Sequence, residues 1–216
     1  MSAEALDSIQ TFRDHIIESG YVLDPEGTHH EFVSGMHGRK LDFDNIPDSS
    51  ELYDEWVTTT ARWIEDQYGQ HMPQAVVGVA NGTNRLALDV ARRFDGKMLG
   101  LVSEKDPDND KHLRLSKFTK KILNQLDFVY VLEDVGTTGS NSVQVAQAAR
   151  QAIHPYDING AMVLTTWQRR PTLERLEEAG VSYLSVIFEP LPTYTPEACQ
   201  SEGYCAQGWQ FIPRSK

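Results

Sequence analysis

"VYVLEDVGTTGSNSVQVAQAAR", residues 129–150, contains the clearest structural signal in the chain. It begins as an apolar run typical of a buried strand, and then continues through Glu133 and Asp134. A loop of glycine, threonine and serine follows, and the stretch ends in a helical pattern. In a parallel sheet, ligands bind outside the carboxyl ends of the strands. We therefore expect the two acids and the loop to form a binding site at such an edge.

The region around this stretch alternates short apolar runs with helical patterns. We predict strands at 75–80, 98–103, 128–132, 160–166 and 182–188. The helices between them are predicted at 84–94, 141–153 and 171–180, where Pro171 suits a first turn and Gly180 a stop. Buried strands separated by single helices predict the α/β class with a doubly wound parallel sheet. The loops at 80–84, 104–120 and 133–141 then share one rim.

The first 70 residues predict two helices with a polar segment between them. The first helix covers 3–19, ends at Gly20, and has apolar positions at helical spacing, at Leu6, Ile9, Phe12 and Ile16. The second begins near Ser49 or Ser50, and its buried face carries Leu52, Trp56, Trp63 and Tyr68. Between them, residues 40–44 alternate polar and apolar as a half-buried strand does.

The organisation along the chain predicts a single domain over residues 1–216. An N-terminal helix and hood segment covers 1–48, the core sheet covers 75–190, and a C-terminal extension covers 191–216.

Composition excludes several classes of function. Forty per cent of the 216 residues are apolar, which is enough for a packed core, and the net charge is −11. Because nucleic acids and membrane surfaces are themselves anionic, a broad role on either is not expected. No stretch approaches the roughly 18 to 20 apolar residues of a membrane span, and the first residues lack a basic signal-peptide region. We expect a cytoplasmic location.

The chain has two cysteines, Cys199 and Cys205, both in the last eighteen residues. Two thiols separated by five residues, without a second pair, make a poor zinc site. We therefore predict two reduced thiols in the tail, and no metal ligand among the protein's side chains.

The loop after the two acids has the composition of a phosphate site. Small and hydroxyl residues stand where the free N–H groups and the positive dipole end of a helix favour an anion: Gly136, Thr137, Thr138, Gly139, Ser140 and Asn141. Glu133 and Asp134 would repel a bare phosphate, but they can accept hydrogen bonds from two adjacent hydroxyls. A sugar phosphate satisfies both halves. The motifs of P-loop NTPases and of dinucleotide-binding folds are absent, and an ordinary strand–turn–helix is the alternative.

"VYVLEDVGTTGSNS" resembles the phosphoribosyl-pyrophosphate (PRPP) motif of the type I phosphoribosyltransferases. The resemblance implies that Glu133 and Asp134 hold the ribose hydroxyls and that residues 137–141 hold the 5′-phosphate. Two residues depart from the pattern: Gly136 replaces a branched apolar residue, and Asn141 replaces Ser or Thr.

The resemblance extends along most of the chain, and the order of elements is most similar to orotate phosphoribosyltransferase. "VVGVANGTNRLALDVARRF" resembles the pyrophosphate loop, which implies that role for Ala80, Asn81, Gly82 and Thr83. "HEFVSGMHGRKLDFDNI" is similar to a segment that contacts the base, which implies that role for Ser34, Gly35, His37 and Lys40. "PTYTPEACQSEGYCAQG" resembles a C-terminal extension of some members.

Two base-side features differ from the orotate pattern. Leu41 stands where an aromatic residue is usual, and Thr166-Trp167 replaces an Asp-Arg pair whose arginine meets the orotate carboxylate. Arg169 and Arg170 are near this position but shifted.

Residues 104–120 are polar and long for a loop, so we predict a lid that excludes water. The resemblance implies pyrophosphate contacts from Lys105 and Lys111, and a weaker one from His112. The alternative is a solvated run of charges.

Together these features predict a Mg²⁺-dependent transfer of phosphoribosyl from PRPP to a nitrogen of a planar base, with orotate the leading base. The substrate's oxygens would carry most of the Mg²⁺ coordination. A different base, or a PRPP- or nucleotide-binding regulator without catalysis, is the alternative. The family resemblance also implies a homodimer.

Overall fold

The computed structural model describes residues 1–20, 22–32, 34–46, 50–68, 72–80, 82–136, 138–153 and 160–214. In chain order its elements are α1 (Ala3–Ser19), β1 (Thr28–Glu31), β2 (His37–Gly38), a 3-10 helix (Phe43–Asn45), α2 (Glu51–Tyr68), β3 (Ala75–Gly78), α3 (Asn84–Arg92), β4 (Leu99–Val102), β5 (Glu104–Asp106), β6 (Asn109–Arg114), α4 (Lys117–Leu123), β7 (Val129–Gly136), α5 (Ser140–Ala152), β8 (Ala161–Gln168), α6 (Arg170–Glu178), β9 (Tyr183–Ser185), β10 (Thr193–Tyr194), α7 (Pro196–Ser201) and β11 (Gln210–Ile212).

The central sheet is parallel throughout and has the strand order β4-β3-β7-β8-β9. Alternate residues of each strand enter different apolar layers, because successive side chains in a strand point to opposite faces. On β7, Tyr130 and Leu132 belong to one layer, whereas Val129 and Val131 belong to the other. Both faces of the sheet are therefore covered, and the predicted α/β class with a parallel sheet is confirmed.

The strands of the sheet differ from the prediction in length. β7 and β8 continue beyond residues 132 and 166, because their ladder extends through the pairs Glu133–Thr165 and Val135–Trp167. β9 is shorter than predicted, since only Tyr183, Leu184 and Ser185 pair with β8. The two acids consequently lie within a strand rather than in the loop after it.

The two N-terminal helices form where they were predicted. Ser2 caps α1 by accepting the Ala5 N–H, and Gly20 ends it with φ +69°. The buried face of α1 begins with Ala5 rather than with the predicted Leu6, which is 48% exposed. Ser50 accepts the Tyr53 N–H at the start of α2, whereas Ser49 lies outside the described residues.

The predicted face of α2 enters the core through Leu52, Trp56 and Trp63, which are all buried. None of the described helices is long and apolar enough to cross a bilayer.

A second sheet, the hood sheet, has the order β10-β2-β1-β11. β1 and β2 form a hairpin near the N-terminus, and the C-terminal extension supplies β10 and β11. The C-terminal extension is therefore part of the hood sheet and not a separate appendage. Its sequence did not indicate this pairing.

Residues 40–44 do not form the predicted strand. Leu41 forms only an isolated bridge to Leu23, and the chain then turns into the 3-10 helix. The Asp42 side chain accepts the Asp44 N–H and stabilises this turn, because a short polar side chain competes with strand pairing.

Residues 104–120, predicted as a loop, form the β5–β6 hairpin and the beginning of α4. β6 is fixed beside α5, where the Leu113 N–H donates to Gln144 Oε1 at 2.9 Å. Asp106 accepts the Asp108 N–H in the turn. The hairpin has few apolar residues, so its sequence lacks the alternation of polar and apolar residues that predicts a strand.

Arg169 joins the hood sheet to the core. The residue is 1% exposed, and its guanidinium donates to the Arg39 carbonyl and to Thr193 Oγ1 and lies 4.6 Å from the centre of the Phe32 ring. Gly38 must lack a side chain here, since a Cβ would come within 2.7 Å of that ring.

Gly78, the last residue of β3, allows α3 to begin directly against the strand. An added Cβ would lie 2.5 Å from Asn84 Cα and 2.6 Å from the Thr83 carbonyl oxygen, which are both backbone atoms. We expect Gly78→Ala to lower the free energy of unfolding by about 1–3 kcal/mol, measured by urea denaturation.

Gly180→Ala is the control, because its added methyl group meets nothing within 4 Å and only its left-handed backbone (φ +63°) is penalised, by about 1 kcal/mol. Equal stability of Gly78→Ala and the wild type would contradict the close approach of α3 to β3.

Candidate active site

Two adjacent carboxylates lie at the carboxyl edge of the central sheet, on β7. Glu133 Oε2 accepts a hydrogen bond from Ser142 Oγ at 2.7 Å, and Ser142 belongs to the first turn of α5. A Cβ built on Gly82 would lie 3.2 Å from Asp134 Oδ2 and 3.4 Å from Asp44 Oδ1. The carboxylates of Asp44 and Asp134 thus border the same point, at the turn between β3 and α3.

Burial raises the pKa of both acids on β7. The pKa of Glu133 rises to about 8, because burial disfavours its charged form and the charge of Asp134 adds to the effect. The pKa of Asp134 rises to about 6, chiefly through burial and with a further contribution from Asp44, although the Val135 N–H opposes the shift. The pair therefore retains a proton near neutral pH. A cation or a pair of hydroxyl donors beside it would favour the fully charged form.

The first turn of α5 is open towards the same edge of the sheet. Gly139 precedes the helix with φ +71°, and it has no side chain that could cap the first N–H groups. A Cβ at Gly139 would lie 3.2 Å from the Thr172 carbonyl oxygen, so glycine also allows α6 to approach. Thr138 and Asn141 are exposed, and Thr138 Oγ1 lies 3.5 Å from Ser140 Oγ.

The structure brings most of the predicted ribose and phosphate residues together. Glu133, Asp134 and Gly136 end β7, and Thr138 to Asn141 begin α5 within the next few residues. Thr137 lies outside the described residues. A helix start without a side-chain cap thus lies beside a carboxylate pair.

Some polar groups of the predicted pyrophosphate loop already form hydrogen bonds within the protein. Thr83 is fully buried, and its hydroxyl donates to the Leu132 carbonyl at 2.6 Å and accepts the Val79 N–H at 2.9 Å. The Ala80 N–H donates to Ser103 Oγ at 2.8 Å. Gly82 faces the carboxylates, and Asn81 lies outside the described residues. Thr83 thus holds the turn in place, and its hydroxyl is not turned towards a ligand.

The predicted lid residues do not form one group in this conformation. Lys105 is paired with Leu113 across the hairpin, whereas Arg114, opposite Glu104, lies on the other face with His112. Lys105 and His112 are both exposed. Lys111 lies in β6, and its contribution to pyrophosphate binding stays a prediction.

The predicted base-side residues lie in the hood and have different surroundings. Ser34 and Gly35 form the turn between β1 and β2, where Gly35 has φ +77°. Lys40 is exposed and forms an ion pair with Asp42 at 2.9 Å, which raises the pKa of its ammonium group. His37 is buried, stacks on Phe211 and points to Cys205. These residues therefore do not converge on one surface.

The residues that replace the orotate-binding Asp-Arg pair are occupied by structural contacts. Thr166 Oγ1 accepts from Trp56 Nε1 at 2.7 Å, and Trp167 Nε1 donates to the Glu189 carbonyl at 2.7 Å. Arg169, the first positively charged residue after Thr166 and Trp167 in the sequence, is buried beneath the hood sheet. Its pKa is lowered to about 10 by burial, and no carboxylate of the described residues lies within ion-pair distance.

Sequence reasoning missed three residues of this site: Asp44, Ser103 and Ser142. Asp44 comes from the 3-10 helix, and Ser103 follows β4. Both reach the site through contacts between segments distant in the chain, for which one sequence offers no signal. Ser142 lies within the quoted motif, and its position one turn after Gly139 could have indicated a partner for Glu133.

Comparisons with known proteins give a consistent fold. No protein-family model and no curated protein sequence matches the chain. Among solved structures, the chain is similar to orotate phosphoribosyltransferase from Aeropyrum pernix, with a TM-score of 0.54 and 18% identity over 83% of this chain and 92% of that one. It is also similar to adenine phosphoribosyltransferase from Saccharomyces cerevisiae, with a TM-score of 0.59 and 10% identity over 84% and 99%.

A third similar structure is UMP synthase from Leishmania donovani, with a TM-score of 0.55 and 10% identity over 83% of this chain and 36% of that one. The chain therefore has the fold of the type I phosphoribosyltransferases. The likeness extends to structures named for orotate and for adenine alike.

The raised pKa values of the carboxylate pair predict a pH-dependent stability. Between the ordinary glutamate value of 4.5 and about 8, the folded protein binds more protons at Glu133 than the unfolded chain does. The contribution of this group to the free energy of unfolding is therefore full below about pH 4.5 and is lost as the pH rises through 8. We expect the stability of the wild type relative to Glu133→Gln to fall between pH 5 and pH 8, measured by urea denaturation in metal-free buffer.

Glu174→Gln, at an exposed glutamate of α6, serves as the control and should leave the pH profile of the wild type unchanged. A constant difference between wild type and Glu133→Gln across this range would contradict the proton held by the pair.

Proposed function

We propose that the protein is a Mg²⁺-dependent phosphoribosyltransferase that moves the 5-phosphoribosyl group from PRPP to a ring nitrogen of a base. The observation that carries the proposal is the position of Glu133 and Asp134 beside the uncapped start of α5. A carboxylate pair suits two vicinal hydroxyls, and open N–H groups at a helix start suit a phosphate. A 5-phosphorylated ribose presents both.

The residues at this edge also suit Mg²⁺. Carboxylate oxygens of Asp44 and Asp134 border the same point beside Gly82, and Glu133 adjoins Asp134 on β7, so this edge offers the hard oxygen ligands that Mg²⁺ prefers. Bound there with the donor, Mg²⁺ would supply neutralisation of the pyrophosphate charge. Glu133 and Asp134 orient the ribose, and Ser142 holds the Glu133 carboxylate by its hydrogen bond.

For the base, we propose an orotate-like pyrimidine. Arg169 is a buried cation without a carboxylate partner among the described residues, and it creates a positive potential beneath the hood sheet. Such a potential favours an acidic base over a neutral one. A purine is the alternative base, because the fold is as similar to an adenine phosphoribosyltransferase as to an orotate enzyme.

A second candidate is a protein that binds PRPP or a nucleotide without turnover. It is favoured by the loop between β3 and α3, where the Ala80 N–H and the Thr83 hydroxyl are already bonded within the protein. It is also favoured by the hairpin, where Lys105 and His112 lie on opposite faces. The homodimer implied by the family resemblance stays a prediction under both candidates.

Asp134→Asn tests the ribose contact that both candidates share. A hydrogen bond to a charged group contributes about 1.5–3 kcal/mol, so we expect PRPP binding at millimolar Mg²⁺ to weaken by at least about tenfold in calorimetry. Asp127→Asn is the matched control, because this exposed residue precedes the same strand at its opposite end. PRPP affinity equal in Asp134→Asn and wild type would remove the carboxylate pair from the donor site.

Pyrophosphate release from PRPP and Mg²⁺ with orotate, uracil and adenine distinguishes the two candidates. We expect release with orotate and not with uracil, which differs only in lacking the carboxylate. Lys105→Ala should abolish release, whereas Lys117→Ala, at an exposed lysine of α4, should retain it. PRPP binding without release on any base would establish the second candidate and refute the first.

A further inference from the structure

Four metal-ligating side chains meet inside the hood, away from the carboxylates. His29, His37, Cys199 and Cys205 each offer one ligand atom, and these four atoms lie within 4.8 Å of one another. We call them the His–Cys cluster. Its members come from both ends of the chain: His29 and Cys205 are separated by 176 positions, and His37 and Cys205 by 168.

The hairpin of the hood sheet presents both histidines on one face. Glu31 pairs with His37, and His29 lies two residues before Glu31, so the two imidazoles are diagonal neighbours. Their ring centres are 5.7 Å apart. His30, between them in sequence, points to the opposite face, where its Nε2 lies 2.6 Å from Asp24 Oδ2.

The C-terminal segment wraps its two cysteines around the same point. Cys199 is fully buried in α7, and its sulfur accepts the Cys205 N–H at 3.3 Å. Gly203 makes this wrap possible, because an added Cβ would lie 2.8 Å from Cys199 Cα and 2.9 Å from the Tyr194 ring. An N–H donated to sulfur stabilises a thiolate, which is the form of cysteine that binds a metal.

Two of the distances between ligand atoms are close to those around one tetrahedral ion. Zinc bonds of about 2.0–2.1 Å to nitrogen and 2.3 Å to sulfur place tetrahedral ligand atoms about 3.3–3.8 Å apart. Cys205 Sγ lies 3.2 Å from His29 Nε2 and 3.8 Å from His37 Nδ1. A two-iron cluster with two cysteine and two histidine ligands does not fit, because its cysteines and histidines bind different irons at opposite ends.

The surroundings complete a closed site. Phe211 stacks on His37 at 4.8 Å and lies 5.4 Å from the His29 ring, and Tyr204 lies 5.7 Å from His29 on another side. Bound as two thiolates and two neutral imidazoles, the four ligands would balance the charge of one divalent zinc ion.

We propose that the His–Cys cluster is a structural zinc site that fastens the C-terminal segment to the hood hairpin. Nitrogen and thiolate ligands in a four-coordinate, buried arrangement select zinc among the common divalent ions. His37 then holds the metal and does not contact the base. Cys199 and Cys205 find their second pair of ligands in histidines far away in the sequence, which their own spacing did not indicate.

The first test is the metal content of the full chain, purified without chelator. We expect about one zinc ion per chain by plasma mass spectrometry. Apo-protein prepared with a chelator should bind Co²⁺ with the absorption bands of a tetrahedral ion and of thiolate-to-cobalt charge transfer. Zinc removal should lower the Tm, and zinc addition should restore it. None of these readouts depends on catalysis, so they test the site whatever the reaction proves to be.

Single substitutions test which side chains bind the zinc. Cys205→Ser and His29→Gln should each weaken zinc binding by at least about 100-fold, since loss of even an outer-shell partner costs 10–100-fold. His30→Gln is the matched control on the same strand, facing away from the cluster, and should keep the zinc.

Each of the following outcomes would overturn the proposal: a wild type that binds neither zinc nor cobalt, a Cys199–Cys205 disulfide in the purified protein, or iron in place of zinc. Should the variants fail to fold, the cobalt spectrum of the wild-type apo-protein decides alone. An octahedral spectrum without thiolate bands would also refute the site.

Discussion

The withdrawal of two neighbouring carboxylates from water at the end of β7 is the constraint on which the candidate active site depends. Burial disfavours their charges, and the Ser142 hydroxyl and the Val135 N–H compensate only in part, so the pKa of each acid stays raised. Two glycines shape the space around the pair. Gly82 leaves room beside Asp134, and Gly139 lets α6 approach the start of α5.

This constraint connects the fold with the chemistry. β3 and β7 are parallel neighbours in the sheet, so the end of β7 lies next to the turn after β3. The carboxylates of β7 therefore lie beside the backbone of that turn. A ligand that brings hydroxyl donors and a cation would relieve the electrostatic cost of the pair. Binding energy is therefore available at the place where the sugar would sit.

The core of the fold could be predicted from sequence because each buried strand is a short apolar run between helical patterns. The prediction was wrong where local chemistry competes with the pattern, as at residues 40–44, where Asp42 stabilises a turn. It was also wrong at residues 104–114, where charged residues form strands because β6 is fixed to Gln144. At the candidate site, Glu133 and Asp134 lie within the motif quoted from the sequence, whereas Asp44 and Ser103 come near it through tertiary contacts. The partners of Cys199 and Cys205 were hidden for the same reason.

The hood sheet joins segments from opposite ends of the chain, since β1 pairs in parallel with β11 and β2 pairs with β10. During translation, the β1–β2 hairpin therefore has open edges until residues 193–212 have been made, whereas the central sheet can assemble earlier. Such long-range pairing is slow. We therefore expect the hood to form after the central sheet, and its unpaired strands to be the part of newly made chains that stays open to aggregation longest.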